Sequence, residues 1–348
     1  MALPVIQDAA PTYDALSILP CFRGIESITA ITSGYSQACA KVIDGGQAFF
    51  VKSFVKGFVK GSDKDFDKDS DRPADCADDI SEHEKTASAA DNEMLFSLAA
   101  ATAGISPPVI YQDSAYLVCR YIDGEPLSES QLTTREKTAL ALDLMGACHQ
   151  LDVALPVLDM ALVISELISA LSGELSAQQE AQVKKLTGKI TTGSKVGPLV
   201  PCHGDINFSN ILLASKARPA RHADKGIDTG KAWLIDFECC ALAEKEFDLA
   251  MLIAVNEISQ PDMLALLKQT PLNTFLSYGQ YSDKLCHYLA FCYLINALWY
   301  LVYQHESGDK QFMPLARRQF ALLDGLGFVD GSFEQLFADF YPGNEISC

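Results

Sequence analysis

An aspartate and an asparagine five positions apart can divide one task between them. The stretch HGDINFSNIL, residues 203–212, holds Asp205 and Asn210 just ahead of an apolar strand pattern. A carboxylate at Asp205 can take a proton from a hydroxyl group, and an amide oxygen at Asn210 can join the ligands of a divalent cation. Asp236 follows an apolar run in WLIDFE, where its carboxylate is a hard-oxygen ligand of the kind that magnesium takes. One base and two oxygen ligands are what phosphoryl transfer asks of a protein: metal ligands to neutralise phosphate charge and a base to orient the nucleophile. Upstream, Lys52 ends the run AFFVK and could hold nucleotide phosphates, with Glu93 in DNEMLFSLAAA as the carboxylate that fixes it. Ser33 and Gly34 lie in a turn between two strand patterns and could present backbone N–H groups to phosphates. The connector Arg120-Tyr121-Ile122 could offer backbone groups to adenine.

Two sorts of element must position these residues. Residues 28–52 alternate apolar and polar positions around a glycine turn and the turn Asp44-Gly45-Gly46, which predicts three strands. A helical pattern over 87–103 stops at Gly104, and PPVIYQDSAYLVCRYIDGEPL predicts two more strands. Beyond Asp123-Gly124 the periodicity is mainly helical, over 134–151, 159–171, 175–190, 245–258, 283–304 and 311–325. Short strands are expected near 211–213 and 232–236, and residues 326–348 allow one or two further amphipathic turns. Strands followed by helices are an α+β order, not alternating βαβ. The lobes divide at 1–119 and 120–348, and the stretch at about 57–86 is acidic, poor in apolar residues and expected to be mobile.

The bulk properties narrow the function classes. The 348 residues are 49% hydrophobic, ample for a large core. A net charge of −18 repels phosphate backbones, so nucleic acid is not an expected partner, whereas a cationic small substrate suits such a field. Eleven cysteines without a CxxC pair fit reduced thiols and a cytoplasmic location. The start MALPVIQDAAP has neither the basic opening nor the apolar run of a signal peptide. The near-apolar stretch Tyr288–Tyr303 is short for a membrane span and contains Asn296, which predicts a buried core helix. Nothing in the chain speaks to oligomeric state.

The order of glycine turn, strand lysine, helix glutamate, connector, H-x-D-x-x-x-x-N and I-D-F resembles the protein-kinase-like fold. HGD in place of HRD resembles the aminoglycoside phosphotransferase and choline kinase group. IDFE followed, after nine intervening residues, by Asp248-Leu249-Ala250 is similar to choline/ethanolamine kinases and bacterial thiamine kinase-like relatives. The resemblance spans residues 28–325 and implies a bilobal fold with a five-stranded first lobe, ATP between the lobes and Mg2+ as cofactor. It implies Asp205 as catalytic base, Asn210 and Asp236 as magnesium ligands, Lys52 on the phosphates with Glu93 as its partner, and Asp248 and His203 as supports of the catalytic loop. Glu238 would touch magnesium through water or face the acceptor. The helix bearing Trp299 resembles the one that lines the acceptor pocket in choline kinase-like proteins, and aromatic faces with a carboxylate hold cations, so Trp299 and Glu306 are candidates there. The plain readings are a core stripe for Trp299, Tyr300 and Tyr303 and a helix-end surface residue for Glu306. The acceptor implied is an amino alcohol or similar cation: choline, ethanolamine or thiamine. An aminoglycoside-type phosphotransferase, or a nucleotide-binding pseudokinase without turnover, are the alternatives.

Plain readings stand beside these. Aspartates and asparagines often serve only turns and caps. Lys56 and Lys60 rival Lys52, as Glu82 and Glu84 rival Glu93. His149 reads as a helix-packing residue. Asp63-x-Asp65-x-Asp67 lacks the glycine and the glutamate of a calcium loop. The stretch Ala243-Glu244-Lys245-Glu246 stands where a glycine is usual in the family, which leaves the local loop shape open.

Overall fold

The computed structural model describes residues 11–31, 38–54, 88–192, 197–215, 230–268, 274–328 and 331–341. Ser33, Gly34, Lys56, Lys60, Glu82, Glu84 and the acidic stretch lie outside the described residues.

The first lobe is one antiparallel sheet in the order β1-β2-β3-β5-β4, formed by β1 (Ile25–Ile31), β2 (Ala38–Asp44), β3 (Gln47–Ser53), β4 (Val109–Gln112) and β5 (Tyr116–Arg120). Gly45 and Gly46 close the β2–β3 hairpin with φ of 56° and 73°, backbone that L side chains rarely adopt. Alternation along the strands gives the sheet two faces. Val42, Phe49, Val51 and Val118 face Leu16, Leu19 and Phe22, which come from α1 (Tyr13–Ser17) and the turn after it. Lys52 follows Val51 and therefore turns to the opposite face. It pairs across the sheet with Cys39 and Leu117.

The helix α2 (Ala89–Thr102) begins with a capping box between Ser88 and Asp91. Its Phe96 and Ala100 belong to the large core of the second lobe, so this helix joins the lobes. The second lobe contains α3 (Thr134–Cys148), α4 (Met160–Ala170), α5 (Ala177–Thr192), α6 (Lys245–Val255), α7 (Gln260–Leu267), α8 (Asp283–Ser307), α9 (Met313–Gly325) and α10 (Phe333–Leu336). α8 is buried on most of its circumference, from Leu285 to Val302. That is why its sequence has the length and apolarity of a membrane span while it serves as the core of this lobe.

Small sheets carry the loops of interest. β6 (Gly124–Pro126), β8 (Ile211–Ala214) and β9 (Ala232–Leu234) form one, and β7 (Leu199–Cys202) pairs with β10 (Ala241–Glu244) in another. β11 (Leu276–Ser277) and β12 (Gln280–Tyr281) make a minor hairpin. The expected helix over 245–258 is divided: α6 stops at Val255, Glu257 takes a φ of 50°, and α7 starts after the Ser259 cap with Pro261 in its first turn. β7 and β10 carry no periodicity that four residues could reveal, and Pro201 speaks against a strand outside an edge position. The stretch lacking the family glycine ends β10 and opens α6. Glu244 is buried there and accepts from Gly197 N–H, Lys284 and Tyr288.

Candidate active site

Register explains how residues far apart in sequence meet. Ile211 faces Leu234 across β8–β9, and the ladder continues as Ile235 N–H donates to Asn210 O at 3.0 Å. Asn210 and Asp236 are thereby brought to the same end of this hairpin, although 25 residues separate them. Asp236 adopts a φ of 66°, the left-handed region that aspartate tolerates better than most residues. β7 pairing with β10 lays the His203–Asp205 turn against Cys239. Gly204, at φ 81°, packs so closely on the Cys239 carbonyl that a Cβ would collide with it.

Lys52 lies at the centre of the charges. Its Nζ is 2.6 Å from Glu93 Oε1, 2.8 Å from Asp236 Oδ1 and 3.9 Å from Glu238 Oε2. The strand lysine, the helix glutamate and the aspartate after β9 thus form one cross-lobe cluster. Burial alone would lower the lysine, but Asp236 and Glu93 keep it charged, well above its ordinary value. Burial raises Glu93 to about 7. Burial acts the same way on Asp236, yet the charge and hydrogen bond of Lys52 hold it below the usual carboxylate range. One ammonium thus serves two carboxylates.

Among the described residues, Asp205 has no such cation beside it. Burial, then Asp236 and Glu238, push it up to about 7. Asn210 Nδ2 donates to Asp205 O at 3.1 Å and to Oδ2 at 3.0 Å. The amide nitrogen is committed to Asp205, so a cation would be offered the amide oxygen. Hard-oxygen donors in excess of positive charge are a fitting set for a divalent cation, which Asp236 and Asn210 could hold.

The loop rests on buried supports. Asp248 accepts from His203 N–H at 3.0 Å and Gly204 N–H at 2.8 Å, the duty expected of it. His203 accepts the Asp205 N–H at Nδ1 (3.2 Å), so its Nε2 carries the proton and donates to Ile235 O at 3.0 Å. Burial lowers its pKa, which suits this neutral tautomer. Two supports escape a reading of the sequence. Asn256 donates to Ile206 O at 2.9 Å and accepts the Phe208 N–H at 2.8 Å, from the turn that ends α6. His149, read as a packing residue, hydrogen-bonds Asp248 at 2.9 Å. A signal for Asn256 existed in the helix stop before Ser259-Gln-Pro261; none within a few residues marks His149.

The remaining candidates fall in different places. Arg120 N–H donates to Pro108 O, and Tyr121 N–H to Ala48 O. The Arg120 guanidinium reaches Gln47 at 2.9 Å and lies over Phe49. What the connector can offer a base is narrowed to its other groups. The Ile122 side chain packs with Ala214 and Trp233. Glu238 joins the Lys52 cluster rather than an aromatic one. Trp299 stacks on Tyr303 at 5.6 Å, and Tyr300 stacks on Phe312 at 5.7 Å. Glu306 is exposed, three residues after Tyr303 and so on the same helix face.

Comparison with known proteins bears on the fold that carries these residues. A choline/ethanolamine kinase family protein from Mesorhizobium loti is similar in structure at a TM-score of 0.55 and 19% identity, covering 94% of this chain and 97% of its own. Choline kinase LicA from Streptococcus pneumoniae is similar at a TM-score of 0.59 and 16% identity, covering 88% and 94%. Spectinomycin phosphotransferase in complex with ADP and spectinomycin follows at 0.51 and 11%, covering 91% and 93%. At these identities the likeness is one of fold, and that fold is the kinase-like one. No curated protein matches the chain significantly in sequence. The model of the phosphotransferase enzyme family (APH) matches residues 27–275, most of the chain, and the chain belongs to that family.

Proposed function

We propose that this phosphotransferase moves the γ-phosphoryl group of Mg-ATP to a hydroxyl of a small cationic metabolite, an amino alcohol or a compound like it. The observation that carries the reading is the Lys52 ammonium held between Glu93 and Asp236, with Asp205 and Asn210 on the neighbouring loop. Asp205 accepts a hydrogen bond from the acceptor hydroxyl and orients it. Its environment, which raises its pKa to about 7, suits a group that takes up a proton as the new P–O bond forms. Lys52 exchanges Asp236 for phosphate oxygens while Glu93 keeps the ammonium in place. When bound, a magnesium ion on Asp236 and Asn210 supplies positive charge to the phosphates. Catalysis here is chiefly electrostatic and positional.

The aromatic group Trp299, Tyr300, Tyr303 and Phe312 supports a cationic acceptor, with Glu306 one helical turn further along the same face. The acidic net charge acts in the same direction. The presence of lysine, base and both ligand residues in one cluster favours turnover over a pseudokinase. An aminoglycoside is the second acceptor class, consistent with the family. The test is acceptor-dependent ADP release with choline, ethanolamine, thiamine and aminoglycosides, each with and without magnesium. Release with an amino alcohol, lost in Asp205→Asn and weakened in Trp299→Ala through KM, is expected. Release only with aminoglycosides would move the acceptor class. Release that Asp205→Asn leaves unchanged would remove Asp205 from its role.

A further inference from the structure

We infer that Asn296 is a specificity-determining residue of the acceptor site, whose side-chain amide selects an amino alcohol with an N–H on its nitrogen over a quaternary ammonium. This rests on the reading of Trp299, Tyr300 and Tyr303 as the group that holds a cationic acceptor. Asn296 lies near the middle of α8 with 2% of its surface exposed. Neither its Nδ2 nor its Oδ1 has a hydrogen-bond partner. Among the described residues, no other buried side chain has both a donor and an acceptor left unpaired. Gln319 on α9 shows the contrast: its Oε1 is also unpaired, but its Nε2 donates to Ala254 O at 3.0 Å. A leucine of similar size would fill the place of Asn296 without the cost of an orphaned amide. The residue therefore calls for a partner that the chain does not supply.

Helical register says where that partner comes from. Trp299, Tyr300 and Tyr303 follow Asn296 by three, four and seven residues and so share its face. All three are half-buried, and Trp299 stacks on Tyr303. In the other direction the same face runs to Leu289, Cys292 and Tyr293, which are buried. Asn296 thus stands where the stripe passes from half-buried to buried, at the inner end of the aromatic group. Aromatic faces attract a cation whether or not it is methylated. An amide oxygen is more selective, because it accepts from an ammonium N–H and gains no such bond from a methyl group. A site built around a buried polar group in this way rejects the analogue that lacks the matching donor. The rival partner is a buried water, which would make Asn296 a matter of packing and stability alone.

The test measures kcat and KM in the full chain with ethanolamine, N-methylethanolamine, N,N-dimethylethanolamine and choline, a series in which the last N–H disappears only at choline. In wild type, KM is expected to stay within about threefold over the first three and to rise about 30-fold at choline. Asn296→Leu is expected to erase the step by raising KM for the three N–H compounds, with kcat within about twofold and the melting temperature unchanged or higher. If Leu does not fold, Asn296→Ala removes the same groups. A step that persists in the amide-free variant overturns the inference, because size or ring contact then sets it. So does wild-type KM for choline equal to that for dimethylethanolamine, a result that leaves the amino-alcohol reading standing. A variant that gains stability with every KM unchanged marks Asn296 as the partner of a buried water and likewise overturns the inference. Absence of turnover with all four compounds removes the amino-alcohol reading itself, and the inference with it.

Discussion

In its proposed role, Asp205 would trade stability for chemistry. Its carboxyl is raised to about 7 by burial and by Asp236 and Glu238. A carboxyl whose folded pKa is raised binds its proton more tightly in the native state. Its contribution is therefore present in acid and is lost as pH rises towards 7. In metal-free protein, Asp205→Asn should leave the melting temperature near wild type below about pH 4 and raise it by a few degrees at about pH 8, where an uncompensated carboxylate is removed. Magnesium should narrow that gap, and differential scanning fluorimetry with EDTA or Mg2+ reads both effects. Equal stability of the two proteins at pH 8 would argue that Asp205 is already ionised without strain.

The small sheets and turns decide where the loop sits. Gly204 combines a φ of 81° with backbone contact on Cys239, so the turn accepts no side chain. Gly204→Ala is expected to displace Asp205 and lower kcat about 100-fold, the usual penalty for misplacing a reacting group by an ångström. Kinetics alongside near-UV circular dichroism would show whether the fold survives while turnover is lost. The hairpin β8–β9 acts similarly on Asn210 and Asp236, since it is their register that makes them neighbours. Other elements bear on stability alone. Phe320 stacks on Phe337 at 4.4 Å, and Phe320→Ala should cost about 3–5 kcal/mol, visible as a lower urea midpoint with KM for ATP unchanged.

At the scale of the molecule, Lys52 and Asp236 belong to different lobes, and their contact ties the lobes together. A nucleotide that engages Lys52 should therefore stabilise the whole chain. ADP with magnesium at about 100 times its Kd should add roughly 2.7 kcal/mol by mass action. Lys52→Met should abolish that increment while also destabilising the free protein, because Glu93 and Asp236 lose their shared cation. Omitting magnesium should shrink the increment in wild type. A full thermal shift in Lys52→Met would show that nucleotide binds elsewhere.

Much of this architecture is legible in the chain alone, because it depends on neighbours in sequence. Alternation near Lys52, helical periodicity and the turn at Gly45-Gly46 are dictated by backbone geometry over a few residues. The spacing in HGDINFSN places Asp205 and Asn210 on one loop whatever surrounds it. The apolar stretch of α8 announces burial, though not the core that provides it. What only the tertiary structure decided is long-range. Strand register brings Asp236 to Asn210, and lobe packing lets one lysine serve both Glu93 and Asp236. Burial moves Asp205 towards neutral pH, and the fold turns His149 and Asn256 from ordinary helix-end residues into supports of the loop. Their partners lie 99 and 50 residues away, so no local pattern could record the bonds that fix them.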